Sequence, residues 1–168
     1  MKKIGIVTDS HSSISQEEAE KLGIFVLPMP FYIDGVCYYE SVTLSRELFF
    51  EKLAAGADIT TSQPSPTAVM EIWDKALEQF EKILYLPISS GLSGSYETAM
   101  MLAKDEAYEG RVLVVDDGQV AAPLHQMVLD TLDMIEKGYE AEQIRDLLER
   151  AGDRMMIYIA LQTLECLK

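Results

Sequence analysis

The sequence predicts an α/β protein of three layers, α/β/α, with helices on both faces of a mainly parallel sheet. Three observations predict it. Short apolar runs at 3–7, 24–27, 82–86 and 111–115 alternate with longer segments of helical period. The run Arg111–Val115 carries no polar alternation, as expected of a strand covered on both faces. Turn and cap residues separate the runs from the helices, the order that gives a parallel sheet. At 168 residues and 48% hydrophobic, the chain reads as one domain, 1–168, with enough apolar surface for a core.

The elements follow in order. Lys3–Val7 is a β-branched run that ends at the polar turn Thr8-Asp9-Ser10-His11-Ser12. Ser15-Gln16-Glu17-Glu18 predicts a helix start, since Ser and a Glu three residues on can satisfy the open N–H groups. Gly23 ends that helix, and Ile24–Leu27 is a second strand. Asp34-Gly35, between Phe31-Tyr32-Ile33 and Val36-Cys37-Tyr38-Tyr39, predicts a hairpin peripheral to the main sheet. The segment after Thr43 turns helical through Leu48, Phe49 and Leu53 and stops near Gly56. Ser65 then caps and Pro66 opens a helix whose stripe is Val69, Ile72, Trp73, Ala76, Leu77 and Phe80. Lys82–Leu86 is a strand, and a helix behind the loop to Ser95 is predicted through Ala107. Arg111–Val115 follows, then helices carrying Leu124, Val128, Leu132 and Ile135, and Ile144, Leu147 and Leu148. Met155–Leu161 is predicted as a last strand.

The net charge of −14 argues against non-specific DNA or RNA binding and against an anionic membrane surface; the acidity reads as solubility. No apolar run approaches the ~20 residues of a membrane span, and the stretch after Met1-Lys2-Lys3 is too short for a signal peptide. Cys37 and Cys166 form no metal-binding spacing, so neither a structural metal site nor a cofactor is expected, and the expected location is cytoplasmic.

Three loops are rich in hydroxyls: Thr8 to Ser13, Thr60 to Ser65 and Ser89 to Ser95. In a parallel sheet, ligands bind in the loops beyond the strand C-termini. A Gly-Ser loop that opens a helix offers free N–H groups to an anion. Nucleotide motifs are missing, because the loop lacks Gly-Lys-Ser/Thr and no GxGxxG follows a strand. Gly91-Leu92-Ser93-Gly94-Ser95 fails the GxSxG pattern of a serine hydrolase at its fifth position. The available bases are His11, in the first polar loop, and His125, within a helix. Asp116-Asp117 reads as a solvated turn. No catalytic residue is assigned on this reading.

Thr8-Asp9-Ser10, Thr61-Ser62-Gln63-Pro64-Ser65 and Ile88-Ser89-Ser90-Gly91-Leu92-Ser93-Gly94-Ser95-Tyr96 resemble the signatures of the DegV family. Val114-Val115-Asp116 and Gly138-Tyr139-Glu140 fit the same pattern, so the resemblance covers essentially the whole chain. It implies a bacterial fatty-acid-binding protein, the lipid-carrying subunit that presents a carboxylate to a separate ATP-dependent fatty acid kinase. By motif position it implies that Thr61 and Ser93 hydrogen-bond the carboxylate, with Ser62 and Gly94 as neighbours. It implies the first of two domains; the second, which supplies a histidine near the carboxylate, is not expected in this chain. Ser95 stands where the family more often has Thr, which keeps the hydroxyl. The alternative classes are a serine-dependent acyl hydrolase and a relative of the dihydroxyacetone kinase substrate subunit. In a site without Arg or Lys, affinity must come from the tail: ~14 buried methylenes at ~0.8 kcal/mol each are worth roughly 11 kcal/mol gross. Association costs of about 4–15 kcal/mol then require a preformed, dry pocket.

Overall fold

The computed structural model describes residues 2–39 and 42–158. Its centre is a four-stranded parallel sheet of β1 (Lys2–Asp9), β2 (Phe25–Leu27), β6 (Phe80–Leu86) and β7 (Val112–Val114), in the order β2-β1-β6-β7. Successive side chains point to opposite faces of a strand, and here both sets are apolar. Ile4, Ile6, Leu84 and Leu86 face a core completed by α1 (Gln16–Leu22), α5 (Ala121–Glu136) and α6 (Ala141–Gly152). Val7, Ile83 and Tyr85 face the opposite core, built from α3 (Pro66–Leu77) and α4 (Ser95–Leu102) with Trp73 at its centre. That double burial explains the unbroken apolar runs. The predicted three-layer α/β/α architecture is the one observed.

The predicted hairpin forms: β3 (Pro30–Ile33) and β4 (Val36–Tyr39) pair antiparallel around Asp34 and Gly35. Both turn residues have positive φ, 50° and 78°, the conformation that makes Asp-Gly suitable there. The hairpin is joined by β5 (Ile59–Thr61), which pairs with β3 to give a second, antiparallel sheet, β4-β3-β5. The helix α2 (Arg46–Ala54) lies between these strands in sequence, capped by the Ser45 hydroxyl on the Leu48 N–H.

Local chemistry sets several boundaries. Ser15 accepts from the Glu18 N–H at the start of α1, and Ser65 accepts from the Ala68 N–H with Pro66 at the first helical position of α3. Phe80 does not extend the α3 stripe. It begins β6, and its ring lies over Gly5, where an added Cβ would come within 2.5 Å. The helix predicted through Ala107 ends at Leu102, because the Asp105 carboxylate takes the Ala107 N–H and starts a turn. Of the predicted strand Met155–Leu161, residues 155–158 form no strand, and 159–161 lie outside the described residues. Met156 and Tyr158 are exposed, so the apolar character that suggested a buried strand meets no partner among the described residues.

Candidate functional site at the sheet edge

The C-terminal ends of β1, β6 and β7 open onto one edge. Asp9 is fully buried there and anchors two loops: Oδ1 accepts the His11 N–H at 2.9 Å and Oδ2 accepts the Ile88 N–H at 2.8 Å. Asp116 accepts from the N–H groups of Ser90 and Gly118, and the Ser89 N–H donates to the Gln119 carbonyl. These bonds hold the Ser89–Ser95 loop against the turn after β7. Asp116 therefore serves as a backbone anchor. Among the described residues, no group of three metal-ligating side chains comes together.

The hydroxyls divide into two groups. Thr8 donates to the Leu86 carbonyl, Ser12 donates to the Asp9 carbonyl, and Ser10 accepts from the Met29 N–H. The first loop thus uses its hydroxyls to build the edge. In the second loop, Ser62 donates to the Gln63 carbonyl and Ser65 caps α3, while the Thr61 hydroxyl has no hydrogen-bond partner among the described residues. Thr61 ends β5, opposite Phe31, so this loop reaches the edge from the antiparallel sheet and not, as expected, from the parallel one.

Ser93 is half-buried on the third loop. Its Oγ lies 2.8 Å from that of Ser95 and accepts the Ser95 N–H at 3.2 Å. Gly94 is the N-cap of α4 and supplies no side-chain cap; the Ser95 N–H goes to Ser93, and the first-turn N–H groups after it have no side-chain acceptor among the described residues. Gln63 joins the second and third loops. Its Oε1 accepts from the Thr98 hydroxyl at 3.1 Å and lies 3.5 Å from the position of a Cβ at Gly94. Sequence reasoning assigned Gln63 no role. Its position inside the second hydroxyl motif was the available signal.

Beside this junction is a cleft of about 610 Å³ between the edge and the antiparallel sheet. Its lining is mixed: Ser10, His11, Ser13, Gln16, Thr61 and Ser62 among the polar residues, and Met29, Phe31, Leu44, Phe49 and Phe50 among the apolar ones. Its size falls within the usual range for small-molecule pockets, about 300–1,000 Å³. Ser93 and Gly94 do not line it; Gly94 packs beside Gln63, the residue after the lining Ser62. His11 faces the cleft, with Nδ1 at 3.3 Å from the buried Asp9. His125 is engaged elsewhere, its Nε2 at 3.1 Å from Glu18 on α1.

Beneath the third loop, Asp117 and Gln119 are buried. The Asp117 Oδ1 accepts the Gln119 N–H, while Oδ2 and the Gln119 Oε1 have no partner among the described residues. Burial, followed by the negative charges of Asp116 and Asp9, pushes the Asp117 carboxyl up to about 7, against the pull of the Gln119 N–H. Tyr85, under the same edge, is raised well above its ordinary value by burial and by Asp9.

Together, the fold and this edge define a three-layer α/β protein with a cleft of mixed polar and apolar lining beside a Ser/Thr-rich, N–H-bearing junction. The profile described as "Uncharacterised protein, DegV family" matches residues 3–168, and the chain belongs to the DegV family. A DegV domain-containing protein of Deinococcus radiodurans is 34% identical over 98% of this chain and 58% of its own length. One from Caldanaerobacter subterraneus is 34% identical over 86% of this chain and 51% of its own. The chain spans about half the length of the curated relatives it matches. A Thermus thermophilus DegV family structure described by its fatty acid binding superposes with a TM-score of 0.80 at 34% identity, covering 90% of this chain and 54% of that one. A stearic-acid-binding protein from Eubacterium ventriosum gives 0.75 at 25% identity, covering 89% and 52%. Among the described residues, no helix is long and apolar enough to cross a membrane.

Proposed function

We propose that the chain binds a long-chain fatty acid, with the carboxylate held between Thr61 and Ser93 and the tail in the cleft, against Met29, Phe31, Leu44, Phe49 and Phe50. One observation carries this reading: Gln63, next to the Thr61–Ser62 rim of the cleft, bonds Thr98 in α4 and packs beside Gly94 at the start of that helix. Thr61 brings an unengaged hydroxyl, and the first turn of α4 beyond Ser95 brings N–H groups, the donors a carboxylate accepts. Fatty acid binding by the Thermus thermophilus and Eubacterium ventriosum proteins supports the same ligand class.

On this reading the chain is a carrier without turnover of its own. It works in the cytoplasm and presents the carboxylate to an ATP-dependent fatty acid kinase for acyl-phosphate formation. The domain 1–168 forms the carboxylate end of the site, and a second domain, like the remaining length of the relatives, completes the enclosure of the tail. Native mass spectrometry with organic extraction of the purified protein tests this. The expected result is a co-purifying acid of ~14–18 carbons, its methylenes supplying the affinity. An empty protein that also fails to take up added acid, or ester hydrolysis that depends on Ser93, would overturn it.

A further inference from the structure

The hydroxyl pair at the start of α4 has a fixed direction. Ser95 is 3% exposed, and among the described residues its hydroxyl has a single hydrogen-bond partner, the Ser93 Oγ at 2.8 Å. Either oxygen can be the donor in that pair. A serine hydroxyl has one proton to give and two lone pairs to receive. If Ser93 donated, the Ser95 proton would be buried with no acceptor, a costly arrangement. If Ser95 donates, its buried proton has an acceptor. The Ser93 oxygen then receives both the Ser95 N–H, at 3.2 Å, and the Ser95 O–H. Its lone pairs are used, and its own proton is left for a ligand. Ser93 is half-buried, so that proton can reach one.

We propose that Ser95 is a positioning residue that sets Ser93 as a hydrogen-bond donor and so selects ligands whose head group accepts, a carboxylate above all. This rests on the reading of Ser93 as a carboxylate ligand. A carboxylate has lone pairs only, and it meets an O–H already polarised by two donors. An alcohol head group, which donates as readily as it accepts, gains less from a partner fixed in one sense. The selection is for acid over alcohol at equal tail length.

Titrations of palmitic acid and of hexadecanol into the full chain carrying Ser95→Ala, Ser93→Ala and both substitutions test the assignment. Thermal melts of each apo form accompany them. Ser95→Ala should weaken the acid about 3- to 10-fold, the range of one hydrogen bond, while changing the alcohol by less. In the Ser93→Ala background, Ser95→Ala should add nothing, because it acts through Ser93. If Ser95→Ala melts too low to titrate, Ser95→Cys fills the site with a slightly larger, weaker donor and should show a partial loss for the acid. Equal loss for acid and alcohol, or additive losses in the double variant, would make Ser95 a structural residue only. An unchanged acid affinity in Ser95→Ala would also overturn the assignment. A Ser93→Ala protein that binds acid as well as wild type would instead overturn the reading of the site itself.

Discussion

Replacing Asp117 with Asn should remove the pH dependence that this buried carboxyl imposes. In the folded protein the group titrates at about 7, raised mainly by burial. In the unfolded chain it titrates near ~3.9. Below that lower value both states are protonated and the group contributes nothing to the pH dependence. Between the two values the unfolded chain gives up the proton and the folded protein keeps it, so stability falls as pH rises. Above the upper value both states are ionised and the loss is complete. Roughly three units at 1.36 kcal/mol each make that loss about 4 kcal/mol, an order-of-magnitude figure. Asparagine keeps the oxygen that accepts the Gln119 N–H at 2.9 Å and removes the charge. Its amide also brings donors to a turn where the Gln119 Oε1 has no partner among the described residues. Urea unfolding of wild type and Asp117→Asn at about pH 4 and about pH 8 is the assay. The variant should be the more stable by a few kcal/mol at the higher pH, and the two should converge at the lower. Parallel stability curves would refute the reasoning, since they would mean that Asp117 titrates alike in the folded and unfolded states.

Three further outcomes are expected. Gly152→Ala places a Cβ 2.1 Å from the Asp117 carbonyl oxygen, so the turn under the third loop must shift; chemical denaturation should show a loss of about 1–3 kcal/mol. Gly94→Ala meets only the Gln63 Oε1, at an ordinary 3.5 Å, and φ there is −70°, so the melting temperature should hold while fatty acid affinity falls. Unchanged affinity would show that the carboxylate does not approach that backbone closely. Ser65→Ala removes the cap on the Ala68 N–H and should cost about 1 kcal/mol in urea unfolding.

Much of the fold was legible because its signals are local. The apolar runs of β1, β6 and β7 reflect burial on two faces, and the Ser65-Pro66 start of α3 and the Asp34-Gly35 turn each express one backbone requirement. What escaped depends on partners distant in sequence. Thr60 and Thr61 look like loop residues, but β3 takes them as a strand and so forms one wall of the cleft. Phe80 has helical spacing from Trp73, but its place is decided by Gly5, on a different strand. The same holds at the site. Three hydroxyl-rich loops were visible, but composition cannot separate Thr8 and Ser12, whose protons go to backbone carbonyls, from Thr61, whose hydroxyl is unengaged. The Gln63 bridge depends on Thr98, 35 residues away.

The central claim is that the Ser93 loop holds a carboxylate, and a fluorescent fatty acid titration of wild type and Ser93→Ala, with melts of both apo forms, tests it most directly. A hydrogen bond to a charged group is worth about 1.5–3 kcal/mol, so Kd should rise roughly 10- to 150-fold with little change in apo stability. An unchanged Kd would contradict the claim and leave Ser93 as the acceptor that holds the Ser95 N–H at the start of α4.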